Sequence, residues 1–214
     1  NLAIQWEVVE GPNPAVGIQQ FREMNQVENY LDDEQLQRLL TVLKSDKNRT
    51  VCGIVLFLLS TGARLNEALQ ARWFLIDVEH RVWRIPATNS KSGQVRAVPL
   101  NDAALEVLSK QDTEDEFEHV FINLQTGLPY TTIQKVWERL RRKAGLEHVR
   151  IHDLRHSYAS MLVNSGRSLY EVQQILGHSN PKVTQRYSHL STATLQDAAG
   201  SAADRISEAL KKAS

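Results

Sequence analysis

His152 and Arg155 stand three residues apart in the run IHDLRHSYAS, and on a helix that spacing puts both side chains on one face. An arginine fork matches two non-bridging phosphate oxygens better than a lysine point charge does. A histidine beside it can take or share a proton near neutral pH. Alone, the pair reads more readily as a surface histidine and arginine. Its setting changes that: TGARLNEAL supplies Arg64 upstream, LGHSN supplies His178 and TQRYSHL supplies Tyr187 downstream. Two arginines, two histidines and a tyrosine are the parts needed to attack a phosphodiester without a metal.

Arg64 follows a Thr-Gly turn and opens a helix, with Glu67 three residues on. The two can form an ion pair that holds the guanidinium, or one that is purely structural. Forks from Arg64 and Arg155 would neutralise a phosphorane-like transition state from two sides, and such preorganised charge contributes roughly 3 kcal/mol per key donor. Tyr187 is the candidate nucleophile. A phenol titrates near about pH 10 and attacks poorly unless neighbours help. A lone tyrosine is usually a packed ring, but Tyr187 has the other four residues around it in the chain, a setting that Tyr30, Tyr130, Tyr158 and Tyr170 lack. Lys91 sits at the tip of a polar hairpin. It can protonate a leaving oxygen if its pKa is lowered; from spacing alone it is an exposed turn charge. His152 and His156 also give a superficial HExxH echo. Asp153 is shorter than the glutamate base of such sites, Arg155 would set a permanent charge near the metal, and no third ligand is identifiable, so no metal is expected.

These side chains need a scaffold. Residues 1–30 read as a tail and linker, because Gly11, Pro12, Asn13 and Pro14 break any preceding helix. Asp32 caps a following helix, Gln35 closes a capping box, and Leu31 with Leu36 forms a hydrophobic staple. Residues 50–60 are apolar nearly all round and predict a buried helix; Thr61 and Gly62 end it, and a short helix runs from Arg64 to about Gln70. WFLIDV, RVWRIPA and VRAVPL predict three short antiparallel strands, with residues 89–93 as the second turn. Helices are expected over 102–110, 131–143, 152–165, 168–176, 181–187 and 194–212, with Gly166 and Gly177 at C-termini and Asn180-Pro181 at an N-terminus. Trp73, Trp83 and Trp137 read as core rather than base-stacking platforms. The fold class is mainly α with a small three-stranded antiparallel β-sheet.

The chain has 214 residues, 42% of them hydrophobic and 23% charged, which suits one soluble domain, or one domain and a fragment. Its single cysteine, Cys52, excludes a disulfide framework and reads as a small core residue; an intracellular compartment is expected. IVLFLL is too short to span a membrane, and no signal segment opens the chain. A start at Asn1 rather than Met fits a fragment cut from something longer. Zero net charge argues against a simple nucleic-acid binder, yet the charge is segregated. Residues 81–96 carry four bases and no acid, and residues 135–155 carry seven bases against three acids. This is either a basic face or a solvated charged surface.

The set TGARLNEAL, SKSGQVRAVPL, HDLRHSYAS, LGHSN and QRYSHL resembles the tyrosine recombinase (phage integrase) family across residues 30–190, with its motifs in the expected order. NPAVGIQQF followed by YLDDEQLQRLL resembles the family's linker into the catalytic domain. The resemblance implies the tyrosine recombinase catalytic-domain fold. It implies that Arg64 and Arg155 clamp the scissile phosphate, Lys91 protonates the leaving 5′ oxygen, and His152 assists proton movement at the tyrosine. By the same resemblance His178 hydrogen-bonds the phosphate and positions the nucleophile, Tyr187 is that nucleophile, and Glu67 supports.

The implied reaction is transesterification through a 3′-phosphotyrosyl link, with no ATP, metal or other cofactor. The implied partners are double-stranded DNA and three further copies in a tetramer, with accessory DNA-bending or directionality proteins as additional candidates and no membrane. The implied setting is the cytoplasm, on the nucleoid, in a bacterial or phage-encoded mobile-element system. Residues 1–30 would then trail from a missing N-terminal DNA-binding domain and residues 31–190 would be catalytic. Residues 191–214 would form a C-terminal helix, with Leu195, Ala198, Ala202, Ile206 and Leu210 as its apolar stripe, packed on a neighbouring protomer or on its own domain. Type IB topoisomerase-like relaxation and a non-catalytic DNA-binding module are the alternatives; the short length and tail helix argue against the first, the full residue set against the second.

Overall fold

A helix with no polar face to offer water can only be central, and the run VCGIVLFLL occupies that position. The computed structural model describes residues 2–13, 16, 18, 29–89, 93–191, 196, 200, 205, 206 and 211. Within them the helices are α1 (Leu2–Gln5), α2 (Asp33–Ser45), α3 (Arg49–Thr61), α4 (Leu65–Leu69), α5 (Asp102–Ser109), α6 (Gln134–Lys143), α7 (Asp153–Asn164), α8 (Leu169–Leu176) and α9 (Pro181–Gln185). Ten of the thirteen α3 residues are buried, and α3 packs against α5 and α7 while α2 packs against α6. Cys52 is wholly buried in this core. Among the described residues no helix is long and apolar enough to cross a membrane.

Local chemistry sets the boundaries. Asp32 accepts the Gln35 N–H at 2.8 Å and Gln35 Oε1 accepts the Asp32 N–H at 3.1 Å, the capping box that starts α2. Leu31 and Leu36 both join the main core. Asp46, just past α2, receives Arg139 and Lys143 from α6; the hydrogen bond from Arg139 holds its carboxyl well below the usual carboxylate range despite burial. Asn48 caps α3 through the Val51 N–H at 3.0 Å. Gly62 stops α3 in the left-handed region at φ +63°, where a Cβ would meet Tyr158 Cδ1 at 2.4 Å.

The three-stranded antiparallel sheet has the order β1 (Ile76–Asp77), β2 (Val82–Ile85), β3 (Arg96–Pro99). Its register pairs Trp83 with Val98 and Ile85 with Arg96, so Trp83, Ile85, Arg96 and Val98 are the buried positions. The first strand is shorter than the run WFLIDV predicts: Trp73–Leu75 turn as a 3₁₀ helix and only Ile76 and Asp77 pair. A second, two-stranded antiparallel sheet, β4 (Ile122–Asn123) with β5 (Leu128–Pro129), lies where a helical remainder is expected. The helix predicted from 131 begins at Gln134. Trp83 and Trp137 are core residues at 1% exposure, and Trp73 is half-buried against the core. The tail helix predicted for 194–212 falls largely outside the described residues.

A second, smaller apolar cluster joins α7 and α8. It consists of Ala159, Val163, Val172, Leu176 and the ring of Tyr187.

Candidate active site

The α3 stop delivers Arg64. Two residues past Gly62 the chain turns into α4, where Glu67 accepts the Arg64 backbone N–H at 2.8 Å and the Arg64 Nη1 at 2.8 Å. The expected Arg64–Glu67 pair is therefore present. Glu67 is 2% exposed and carries a second partner: Arg96, from the core face of β3, reaches its Oε2 at 2.5 Å. Arg96 Nη1 also donates to the Ile175 and Leu176 carbonyls at 3.0 and 2.9 Å. One buried carboxylate thus ties α4, the sheet and the C-terminus of α8 together.

Arg155, in the first turn of α7, is 4% exposed. Its Nη1 donates to the Gly62 carbonyl at 2.6 Å and its Nη2 to the Leu176 carbonyl at 2.7 Å. Both carbonyls lie at helix C-termini, of α3 and α8, where the helix dipole is negative and a cation is favoured. Burial, then Arg64 and Arg96, pull the Arg155 pKa down to about 9, so the group stays charged at neutral pH. Arg64 is within its electrostatic reach. The two guanidinium groups share one region of the molecule, and an open cleft of about 440 Å³ is lined by Arg64, Glu67 and His152 together.

His152 sits at the N-terminus of α7. Asp153 beside it is fully buried and accepts the Arg150 backbone N–H and guanidinium, each at 2.8 Å. Asp153 therefore anchors the helix start rather than facing a metal. Burial and Arg155 lower the His152 pKa. His178 follows Gly177, the left-handed stop of α8, and pairs through Nδ1 with the buried Thr184 hydroxyl at 2.8 Å. Burial, then Arg155 and Arg64, push its pKa down to about 3, so it is neutral. Tyr187 follows α9 and is 1% exposed. Its hydroxyl lies 2.5 Å from His156 Nδ1, and the His156 ring meets His152 edge-on at 5.2 Å between centroids. Burial and His152 push the His156 pKa down to about 4. Among the described residues no group of His, Cys, Asp and Glu is arranged to hold a metal ion. Lys91 lies outside the described residues.

A family model described as "Phage integrase family" matches residues 29–194. The chain belongs to the phage integrase family. It is 33% identical over 160 residues to tyrosine recombinase XerA of Saccharolobus solfataricus, covering 75% of this chain and 52% of that protein. The chain spans about half the length of such curated relatives. Among solved structures, XerH recombinase in a post-cleavage complex with its difH substrate superposes with a TM-score of 0.66 at 28% identity, over 82% of this chain and 53% of that one. The catalytic domain of bacteriophage HP1 integrase superposes at 0.62 and 24% identity, over 80% of this chain and 93% of that one. The fold is that of a tyrosine recombinase catalytic domain.

Three site residues of this integrase-family chain escape sequence reasoning: Arg96, His156 and Thr184. Arg96 left one trace, a charge at an inward-facing strand position between Ile85 and Val98, and a charge there needs a buried partner. His156 entered only as half of the rejected metal echo, and Thr184 left no trace. The segregated bases are also largely paired within the chain, at its surface. Arg139 and Lys143 pair with Asp46, Arg150 with Asp153, Arg81 with Asp102 and Arg84 with Asp77, while Arg141 donates to the Glu147 and Val149 carbonyls.

Proposed function

We propose that this chain is the catalytic domain of a site-specific DNA recombinase that cuts and rejoins DNA through a 3′-phosphotyrosyl intermediate on Tyr187. The observations that support the reading are membership of the integrase family, a cleft that Arg64 and His152 line together, and Arg155 within electrostatic reach of Arg64, His178 and Tyr187.

The Tyr187 oxygen attacks phosphorus as the bond to the 5′ oxygen breaks. Arg64 and Arg155 stabilise the charge gathering on the non-bridging oxygens. Thr184 holds Nδ1 of the His178 ring, and in the tautomer protonated on Nε2 that ring can donate to a phosphate oxygen. His152 assists proton movement, Lys91 is the expected donor to the leaving oxygen, and Glu67 positions Arg64. The partner is double-stranded DNA, and the assembled form is a tetramer on two duplexes, in a mobile-element system with accessory DNA-bending or directionality proteins. Residues 31–190 form the catalytic unit, with residues 1–30 linking it to an upstream DNA-binding domain and residues 191–214 forming a tail helix.

The test is covalent capture on a nicked suicide duplex. A denaturant-stable protein–DNA adduct is expected with the unaltered protein, with chelator present or absent, and none with Tyr187→Phe. An adduct that survives Tyr187→Phe, or one that needs a divalent metal, overturns the reading. Supercoil relaxation without joining of two substrates would point instead to a topoisomerase.

A further inference from the structure

We propose that His156 is a further catalytic residue: it holds the Tyr187 hydroxyl at rest and takes its proton as that oxygen attacks. The inference rests on Tyr187 being the nucleophile and adds a residue outside the set that the family resemblance implies.

The hydrogen bond on the reacting oxygen is the first ground. The His156 Nδ1 and Tyr187 hydroxyl are 2.5 Å apart, within the reach a general base needs. The second is how both partners are held. The tyrosine ring is packed into the small apolar cluster with Ala159, Val163, Val172 and Leu176. Its backbone is fixed by a hydrogen bond from its N–H to the Thr184 carbonyl at 3.0 Å. His156 is half-buried on α7, with His152 edge-on against it one turn earlier. Neither side chain has to be found by diffusion.

The third ground is charge. On its own helix His156 faces His152 and Asp153; Arg150 reaches it from the preceding turn, Arg186 from the end of α9, and His178 from the loop after α8. Asp153 favours the imidazolium, whereas burial, His152, Arg186 and Arg150 oppose it. The resting ring is therefore neutral and accepts the phenol hydrogen at Nδ1, with its own proton on Nε2. A phosphate bound by Arg64 and Arg155 brings negative charge that offsets those cations and raises the basicity of His156 as attack begins.

The step balances. The Oη–P bond forms as the P–O5′ bond breaks, the phenol proton passes to His156 Nδ1, and the leaving 5′ oxygen receives a proton from a general acid, the role expected of Lys91. In rejoining, the incoming 5′ hydroxyl attacks the phosphotyrosine and His156 returns the proton to the departing phenolate.

His156→Asn tests this, because the asparagine Oδ1 can stand where Nδ1 stood and accept the hydroxyl hydrogen, yet cannot carry the proton away. The probe is a nicked suicide duplex selected for covalent capture by the unaltered protein. Adduct formation is expected to slow on the order of 100-fold at about pH 7 and to recover as pH rises towards about 9, when hydroxide replaces the missing base. A duplex with a 5′-bridging sulfur, whose leaving group needs no proton, is expected not to rescue it. Cleavage by His156→Asn at the unaltered rate, or full rescue by the sulfur duplex, overturns the proposal while leaving Tyr187 as nucleophile; an adduct in Tyr187→Phe removes the premise instead. Nitrogen-15 NMR of the unaltered protein gives a readout that does not depend on the variant folding. His156 Nδ1 is expected to be unprotonated, hydrogen-bonded and displaced by Tyr187→Phe, and a protonated Nδ1 indifferent to that change overturns the proposal.

Discussion

At the scale of single residues, the candidate site is organised by one buried carboxylate. Glu67 is almost wholly buried between two guanidinium groups, one from Arg64 just before α4 and one from Arg96 on β3. Breaking a buried pair by removing one charge costs more than the pair contributes, because the remaining charge is stranded. Glu67→Gln is therefore expected to destabilise the fold by roughly 3 kcal/mol in urea unfolding, with Glu67→Gln/Arg96→Met recovering part of the loss. An unchanged unfolding midpoint would contradict the role given to Glu67. The residues proposed to do the chemistry could be singled out in the chain because the proposed function fixes their type: a fork for phosphate, an imidazole for protons, a phenol for attack. Arg96, His156 and Thr184 were not, because each works by touching another group and such contacts exist only after folding: Arg96 lies 29 to 80 positions from Glu67, Ile175 and Leu176, His156 lies 31 from Tyr187, and Thr184 lies 6 from His178.

At the scale of elements, the site depends on where helices stop. The C-termini of α3 and α8 aim their last carbonyls at Arg155, and that of α8 also serves Arg96. Both stops are glycines at positive φ, and both were legible as helix ends. What the chain did not reveal is that these ends form the cradle. Gly177 sits at φ +65°, and a Cβ there would lie 2.2 Å from Arg96 Cδ. Gly177→Ala is expected to lose about 2 kcal/mol or more in urea unfolding, from left-handed strain and from displacement of Arg96, and to slow adduct formation. Stability equal to that of the unaltered protein would show that α8 can end elsewhere. The long periodic helices were readable because their apolar faces repeat. The β4–β5 pair was not: two residues per strand carry too little alternation to register against the turn at Gly127. The 3₁₀ turn at Trp73–Leu75 hid for a related reason, since half-buried Trp73 and Leu75 around exposed Phe74 imitate a strand.

At the scale of the whole molecule, three histidines are gathered among arginines and kept neutral. The His178 pKa is pushed down to about 3 and the His156 pKa to about 4, with His152 lowered as well. Their unfolded values lie near about 6.5. Between those limits the unfolded chain binds more protons than the folded one, so stability rises with pH there. Above about pH 6.5 these groups add no slope; as pH falls from there towards their folded values, stability is lost, by up to about 1.4 kcal/mol per pH unit for each histidine fully shifted. Urea unfolding is expected to show a plateau at neutral pH and a decline below about 6, shallower in a His178→Gln variant. A flat profile to about pH 4 would contradict the assigned charge states. The central claim is that distant residues converge on one phosphorus with a phenol as attacker. It is tested most directly by mass mapping of the captured protein–DNA adduct after proteolysis. A 3′-linked nucleotide is expected on the peptide carrying Tyr187 and on Tyr187 itself; linkage to any other side chain, or a reaction that leaves no covalent link, would contradict that convergence.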